Sequence, residues 1–157
     1  MPNYSMDEDA EYWQAPERFR KLLEMAPSMG VKNAIFPLGD PNDENTAMAV
    51  VLQMEPGYVI TRHAHPCDRF ETVVRGTLEF NGRVYRAGDV LTAKPNEFYG
   101  PKTAGKDGCT TIEIFSKAKG VYHRMTQDEN GQTVVTNLLE AWETAFAGQI
   151  KKHQARA

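Results

Sequence analysis

His63 and His65 stand two residues apart in the run Gly57-Tyr58-Val59-Ile60-Thr61-Arg62-His63-Ala64-His65-Pro66-Cys67-Asp68-Arg69-Phe70-Glu71. In an extended strand such residues project to one face with Cα atoms about 6.8 Å apart, so both imidazoles can close on one ion. Neutral imidazole nitrogen binds zinc, iron, manganese, nickel and copper at roughly 2.0–2.2 Å, and a carboxylate on the same face would complete a His-His-carboxylate site with positions left open. Glu71 is the nearest candidate carboxylate. Blander readings stand beside this one: a His-x-His pair can be strand side chains that hold no ion, and Glu71 can be the ion-pair partner of Arg69 or Arg75. Arg69, unfavourable alone in an interior, either pairs with Glu71 or Asp68 or meets an anionic substrate in a bidentate contact. Cys67, behind Pro66 and without an evident base, reads as a small loop residue. His123 and His153 lie outside this run and read as structural.

Side chains so placed need strands beneath them, and the middle of the chain supplies the pattern. Short β-like runs separated by turn residues occur at Asn33–Pro37, Thr46–Met54, Tyr58–Arg62, Arg69–Arg75, Thr77–Phe80, Arg83–Arg86, Val90–Lys94, Thr110–Phe115, Val121–Arg124 and Gln132–Thr136. Even spacing of this kind predicts an all-β sandwich or barrel. Phe80-Asn81-Gly82-Arg83 predicts a tight hairpin, because Asn-Gly tolerates the two positive-φ positions of a type I′ turn. A helix is expected over Pro16–Met29, with Phe19, Leu22, Leu23 and Ala26 on one face and Gly30 as its stop. A second is expected from Asn137 to about Lys152, striped by Leu138, Trp142, Ala145, Phe146 and Ile150.

The histidine run resembles the first motif of the cupin superfamily: Gly, five residues, His-x-His, three or four residues, Glu, six residues, Gly, with Gly57, His63, His65 and Gly76 in register. Gly88-Asp89 through Pro95 to Tyr99-Gly100-Pro101 is similar to that superfamily's second block, Gly-Asp to Pro-x-Gly-x-x-His. The likeness implies an antiparallel, jelly-roll-like cupin β-barrel with a metal or ligand site in one open end. It also implies departures. Arg69 stands at the usual glutamate position and Glu71 follows two residues later on the same face; the second block's histidine is matched by Gly100 without a gap or by Tyr99 with one residue deleted after Pro95, and Tyr99 is preferred because it alone has a side chain that could face the site. The resemblance therefore points to His63, His65 and Glu71 as ligands of a divalent ion (Fe, Zn, Mn or Ni). Tyr99 and Arg69 would then be the residues that meet substrate.

The remaining composition narrows the function classes. A chain of 157 residues, 41% hydrophobic and 25% charged, has the size of one ordinary domain, parsed as an N-terminal segment and helix (1–30), a barrel (31–136) and a C-terminal helix and tail (137–157). Net charge is −3, and Asp7, Glu8, Asp9, Glu11 and Glu17 meet no base in residues 1–17, so neither a nucleic-acid face nor a polybasic membrane patch is expected. The longest apolar run, Ala47 to Leu52, is far short of the roughly 20 residues of a membrane span. Cys67 and Cys109 read as free thiols and, with no signal-like N-terminus, a cytoplasmic protein is expected. Like the small cupins it resembles, the chain is expected to form a homodimer. Its expected activity is that of a metal-dependent enzyme on a small anionic or chelating organic substrate, dioxygenase-like or of lyase or isomerase type. The alternative is a non-catalytic cupin that binds a small ligand or metal without turnover.

Overall fold

A computed structural model describes residues 2–157; Met1, the first residue of the expected N-terminal segment, lies outside them. The main sheet comprises β1 (Val31–Pro37), β2 (Met48–Met54), β3 (Val59–Ile60), β4 (Arg69–Phe80), β5 (Arg83–Arg86), β6 (Val90–Ala93) and β7 (Lys102–Phe115). Its order is β1-β2-β7-β4-β5, with β3 also on β7 and β6 also on β4, and every pairing is antiparallel. A separate hairpin joins β8 (His123–Gln127) to β9 (Thr133–Asn137). This is the all-β antiparallel class that the spacing of runs predicts.

The Asn-Gly turn is as expected: Phe80 pairs with Arg83, and Asn81 and Gly82 have φ of 52° and 73°. The runs before and after Gly76 prove to be one strand. β4 passes through Gly76 with irregular register on either side, and a Cβ there would sit 2.1 Å from the Gly108 carbonyl oxygen. Glycine lets the two longest strands approach at that bend.

Both helical expectations need correction at their ends. The segment Pro16–Met29 is helical in pieces: a 3₁₀ turn at Glu17–Phe19, α1 at Arg20–Met25 and a second 3₁₀ turn at Ala26–Met29. Pro27 has no N–H to donate and its ring crowds the preceding turn, so one continuous α-helix is interrupted there. Its predicted face is nonetheless inward, with Phe19 wholly buried, and removing such a side chain from water is worth about 1.5–3 kcal/mol. Asn137 ends β9, opposite His123, instead of opening a helix, and its Oδ1 accepts the Leu139 N–H in a turn. After a short helix α2 (Ala118–Tyr122), which displaces the start of the strand expected at Val121, the terminal helices are α3 (Trp142–Ala145) and α4 (Ala147–Arg156). Glu55 holds α4 from the sheet side, accepting from Arg156 Nη1 at 2.8 Å and lying 2.8 Å from His153 Nδ1. Among the described residues no helix is long and apolar enough to cross a membrane.

Candidate functional site

His63 and His65 lie in the connection between β3 and β4, which two backbone bridges hold in extended form. His63 exchanges both N–H···O bonds with Tyr99, at 3.0 and 2.9 Å, and Ala64 does the same with Met125, at 2.9 Å each. Tyr99 is thereby brought beside the histidines. Cys67 fits the small-residue reading, since its Sγ occupies the space a Cβ on Gly120 would need. That contact leaves the Gly120 carbonyl facing His65.

The protons on both rings follow from their partners. His63 Nδ1 lies 2.7 Å from the Thr61 carbonyl oxygen, and His65 Nδ1 lies 2.7 Å from that of Gly120 and 3.2 Å from that of His123. A carbonyl only accepts, so each Nδ1 carries the proton and each Nε2 presents a bare lone pair. The two Nε2 atoms are 3.1 Å apart. The Tyr99 hydroxyl, 3.1 Å from His63 Nε2, can donate to it; His65 Nε2 then faces another lone pair and has no donor among the described residues. Burial lowers both imidazole pKa values, with His65 as the next cause at His63 and Arg69 as the next at His65: His65 falls to about 3 and His63 lies well below the ordinary value. Burial also raises the Tyr99 pKa, so its hydroxyl keeps its proton.

A second cluster adjoins the first. Alternate residues Arg69, Glu71 and Val73 of β4 face inward, and the register with β7 sets them opposite Phe115, Glu113 and Thr111. Arg69 Nε donates to Glu113 Oε2 at 2.7 Å and Arg69 Nη2 lies 2.9 Å from Glu71 Oε1, which also accepts from Lys102 Nζ at 2.7 Å. Arg69 and Lys102 stand 4.4 and 4.3 Å from the centroid of the Tyr99 ring. Burial raises both carboxyls, but Arg69 and Lys102 together hold Glu71 below the usual carboxylate range, whereas Glu113 is pushed up to about 7. Among the described residues Glu71 Oε2 is buried without a hydrogen-bond donor, and its β7 partner Glu113 favours the protonated form.

These groups meet at the polar end of a cavity of about 120 Å³. His63, His65, Arg69, Tyr99, Glu113 and Arg124 line that end, while Val50, Leu52, Met54, Ile60, Trp142 and Phe146 contribute to the apolar remainder. Four of the five expected site residues, His63, His65, Tyr99 and Arg69, are thus brought together. Glu71 is not: it lies behind them, tied to Lys102 and Arg69, and the expected His63, His65, Glu71 ligand set is not assembled. Among the described residues no group of three His, Cys, Asp or Glu side chains encloses an ion position. Of the two roles open to Arg69, its contacts are those of the ion-pair partner.

Glu113, Lys102 and Arg124 are additional to the residues singled out by sequence. Glu113 sits between Ile112 and Ile114, a pattern that would turn the isoleucines inward; in fact Thr111, Glu113 and Phe115 are the buried set. Lys102 falls in the part of β7 that the sequence leaves unassigned. Arg124 carries no local signal.

The fold has known counterparts. An acetylacetone dioxygenase from Acinetobacter johnsonii superposes with a TM-score of 0.52 at 15% identity, covering 94% of this chain and 93% of that one. A proposed acetylacetone dioxygenase from Methylibium petroleiphilum PM1 gives a TM-score of 0.51 at 13% identity, covering 76% of this chain and 78% of that one. No protein-family model matches the sequence, and no curated protein shows significant similarity to it. The fold is that of the cupins, as the two motif blocks implied.

Proposed function

We propose that the chain is a metal-dependent cupin enzyme in which His63 and His65 hold a divalent ion at the polar end of the cavity, and that its substrate is a small organic anion able to chelate through oxygen. The observation that carries this reading is the pair of Nε2 lone pairs 3.1 Å apart, each fixed by an Nδ1–H donated to a carbonyl, with no proton available between them. Two nitrogens each roughly 2.1 Å from one ion can be at most about 4.2 Å apart, so the donor set fits a shared cation. When bound, such an ion supplies Lewis-acid activation of a chelating oxygen and, if it is iron, dioxygen chemistry as well.

The protein's own groups do the rest. Tyr99, kept as a phenol, offers a hydrogen-bond donor to an oxygen bound beside His63. Glu113 titrates near neutrality and lines the cavity, which suits it to take or return a proton at a carbon next to a carbonyl. Arg69 is held in place by two carboxylates and backs the Tyr99 ring. Arg69, Lys102 and Arg124 outnumber Glu71 and Glu113 whether or not Glu113 carries its proton, so a divalent ion here calls for an accompanying anion.

A second reading, a cupin that binds a small ligand without turnover, is favoured by one observation: Glu71 is withheld from the imidazoles, so the chain offers two nitrogen ligands and a phenol. Turnover separates the two. Protein loaded with iron(II), manganese(II), nickel(II) or zinc(II) would be mixed with acetylacetone, a chelating 1,3-dicarbonyl, and followed by oxygen uptake and by loss of the enolate absorbance. Metal-dependent consumption that disappears in His63→Ala supports the enzyme; a saturable complex with no consumption under any metal supports the binding protein.

A further inference from the structure

The cavity's polar end holds a cation that the ion-pair cluster does not use. Arg124, on β8, is 6% exposed and its Nη2 donates to Thr61 Oγ1 at 2.6 Å. Its guanidinium stands 5.1 Å from the Phe146 ring centroid, at the boundary between the polar and apolar walls. Among the described residues it forms no salt bridge, whereas Arg69 has two and Lys102 has one. A guanidinium has five N–H donors, and a buried one without a carboxylate is a charge waiting for an anion. Next to it the walls are aliphatic and aromatic, and the volume of about 120 Å³ is slightly below that of a cavity known to hold one benzene ring, about 150 Å³.

We propose that Arg124 is the anion anchor of this cavity and sets its specificity for a short-chain oxygen monoanion, a carboxylate or enolate of about four to six carbons in all, its apolar part lying against Val50, Leu52, Trp142 and Phe146. This deepens the reading of the site as one for a small chelating anion and rests on it for the chemistry, but not for the binding. The anion is placed so that its oxygens reach from Arg124 toward His63 and Tyr99, and its apolar end occupies the space under α3 and α4. Arg69 cannot take this role while Glu71 and Glu113 engage it.

Calorimetric titration of the full chain with hexanoate and with hexan-1-ol, in chelator-stripped and in zinc-loaded protein, tests the assignment. Hexanoate should bind at least about tenfold more tightly than the alcohol. Arg124→Met should weaken hexanoate by roughly 10- to 100-fold and leave the alcohol within about twofold, with Arg124→Lys between the two proteins. Equal affinity for acid and alcohol in the native protein overturns the proposal, as does unchanged hexanoate affinity in a folded Arg124→Met variant. Should that variant not fold, the native acid-to-alcohol ratio and Arg124→Lys decide. Failure of the metal reading shows separately: no zinc uptake with the hexanoate preference intact in stripped protein removes the metal and leaves Arg124 as the anchor.

Discussion

Protonating His63 or His65 would place a charge in a buried site already facing Arg69 and Arg124, and this sets the sign of the imidazoles' response to acid. In the metal-free protein both rings stay neutral when folded and gain protons only on unfolding, so their contribution to stability is lost as pH falls below the ordinary histidine value. Glu113 works in the opposite direction, keeping its proton in the fold up to about 7, so that stability rises as pH falls through the same window. Two histidines against one glutamate leave a net loss of about 1.4 kcal/mol per pH unit between roughly pH 6 and 5. Denaturant titrations should show that slope, nearly flat for His65→Gln and about twice as steep for Glu113→Gln.

The ion cluster makes a second set of expectations. Glu71→Gln strands Lys102 and one arm of Arg69, and Arg69→Met strands Glu113, so each should lower unfolding free energy by roughly 3–5 kcal/mol. Glu71→Gln should nonetheless keep its metal, measured by elemental analysis, because Glu71 does not reach the imidazoles. His63, His65 and Tyr99 were legible in the sequence because a His-x-His strand and the second motif block declare themselves locally. Lys102 and Glu113 were not, since they meet their partners 31 and 44 residues away through the β4–β7 register. Arg124 reaches Thr61 across 63 residues by way of the Ala64–Met125 bridge.

Among the elements, β4 and β7 carry the site, and Gly76 is where they bend together. Gly76 and Gly82 share a φ near +70°, yet their surroundings differ: a Cβ at Gly76 meets Gly108 backbone at 2.1 Å, whereas one at Gly82 meets nothing within 4 Å. Gly82→Ala should cost about 1–2 kcal/mol, the left-handed penalty alone. Gly76→Ala should cost more than about 4 kcal/mol, because backbone must move, and it should weaken ligand binding as the register around Glu71 and Glu113 shifts. Thermal unfolding of the two variants side by side checks the difference. The Asn81-Gly82 turn was readable from its dipeptide. The long run of β7 was not, because Gly105, Lys106, Asp107 and Gly108 carry no strand pattern, yet the structure continues the strand through them from Lys102. Helix ends were misjudged where Pro27 and the β8–β9 pairing overrode an apolar stripe that was otherwise correctly placed.

For the whole molecule, the cupin fold brings together an apolar cavity, two neutral imidazoles and an arginine that forms no ion pair among the described residues. We expect a homodimer in solution, formed along sheet edges such as β5, where Val84 is exposed; light scattering should give about twice 17.6 kDa, and a monomer at micromolar concentration would refute it. An ion held by His63 and His65 shows itself in the metal content of the purified protein. Untagged protein purified without chelator, and the His63→Ala/His65→Ala double variant purified identically, should be compared by elemental analysis. Close to one equivalent of iron, manganese, nickel or zinc in the native chain and a trace in the double variant is the expected result. A native chain with no bound transition metal after incubation with each of the four ions, or a double variant that retains as much as the native protein, would contradict the assignment.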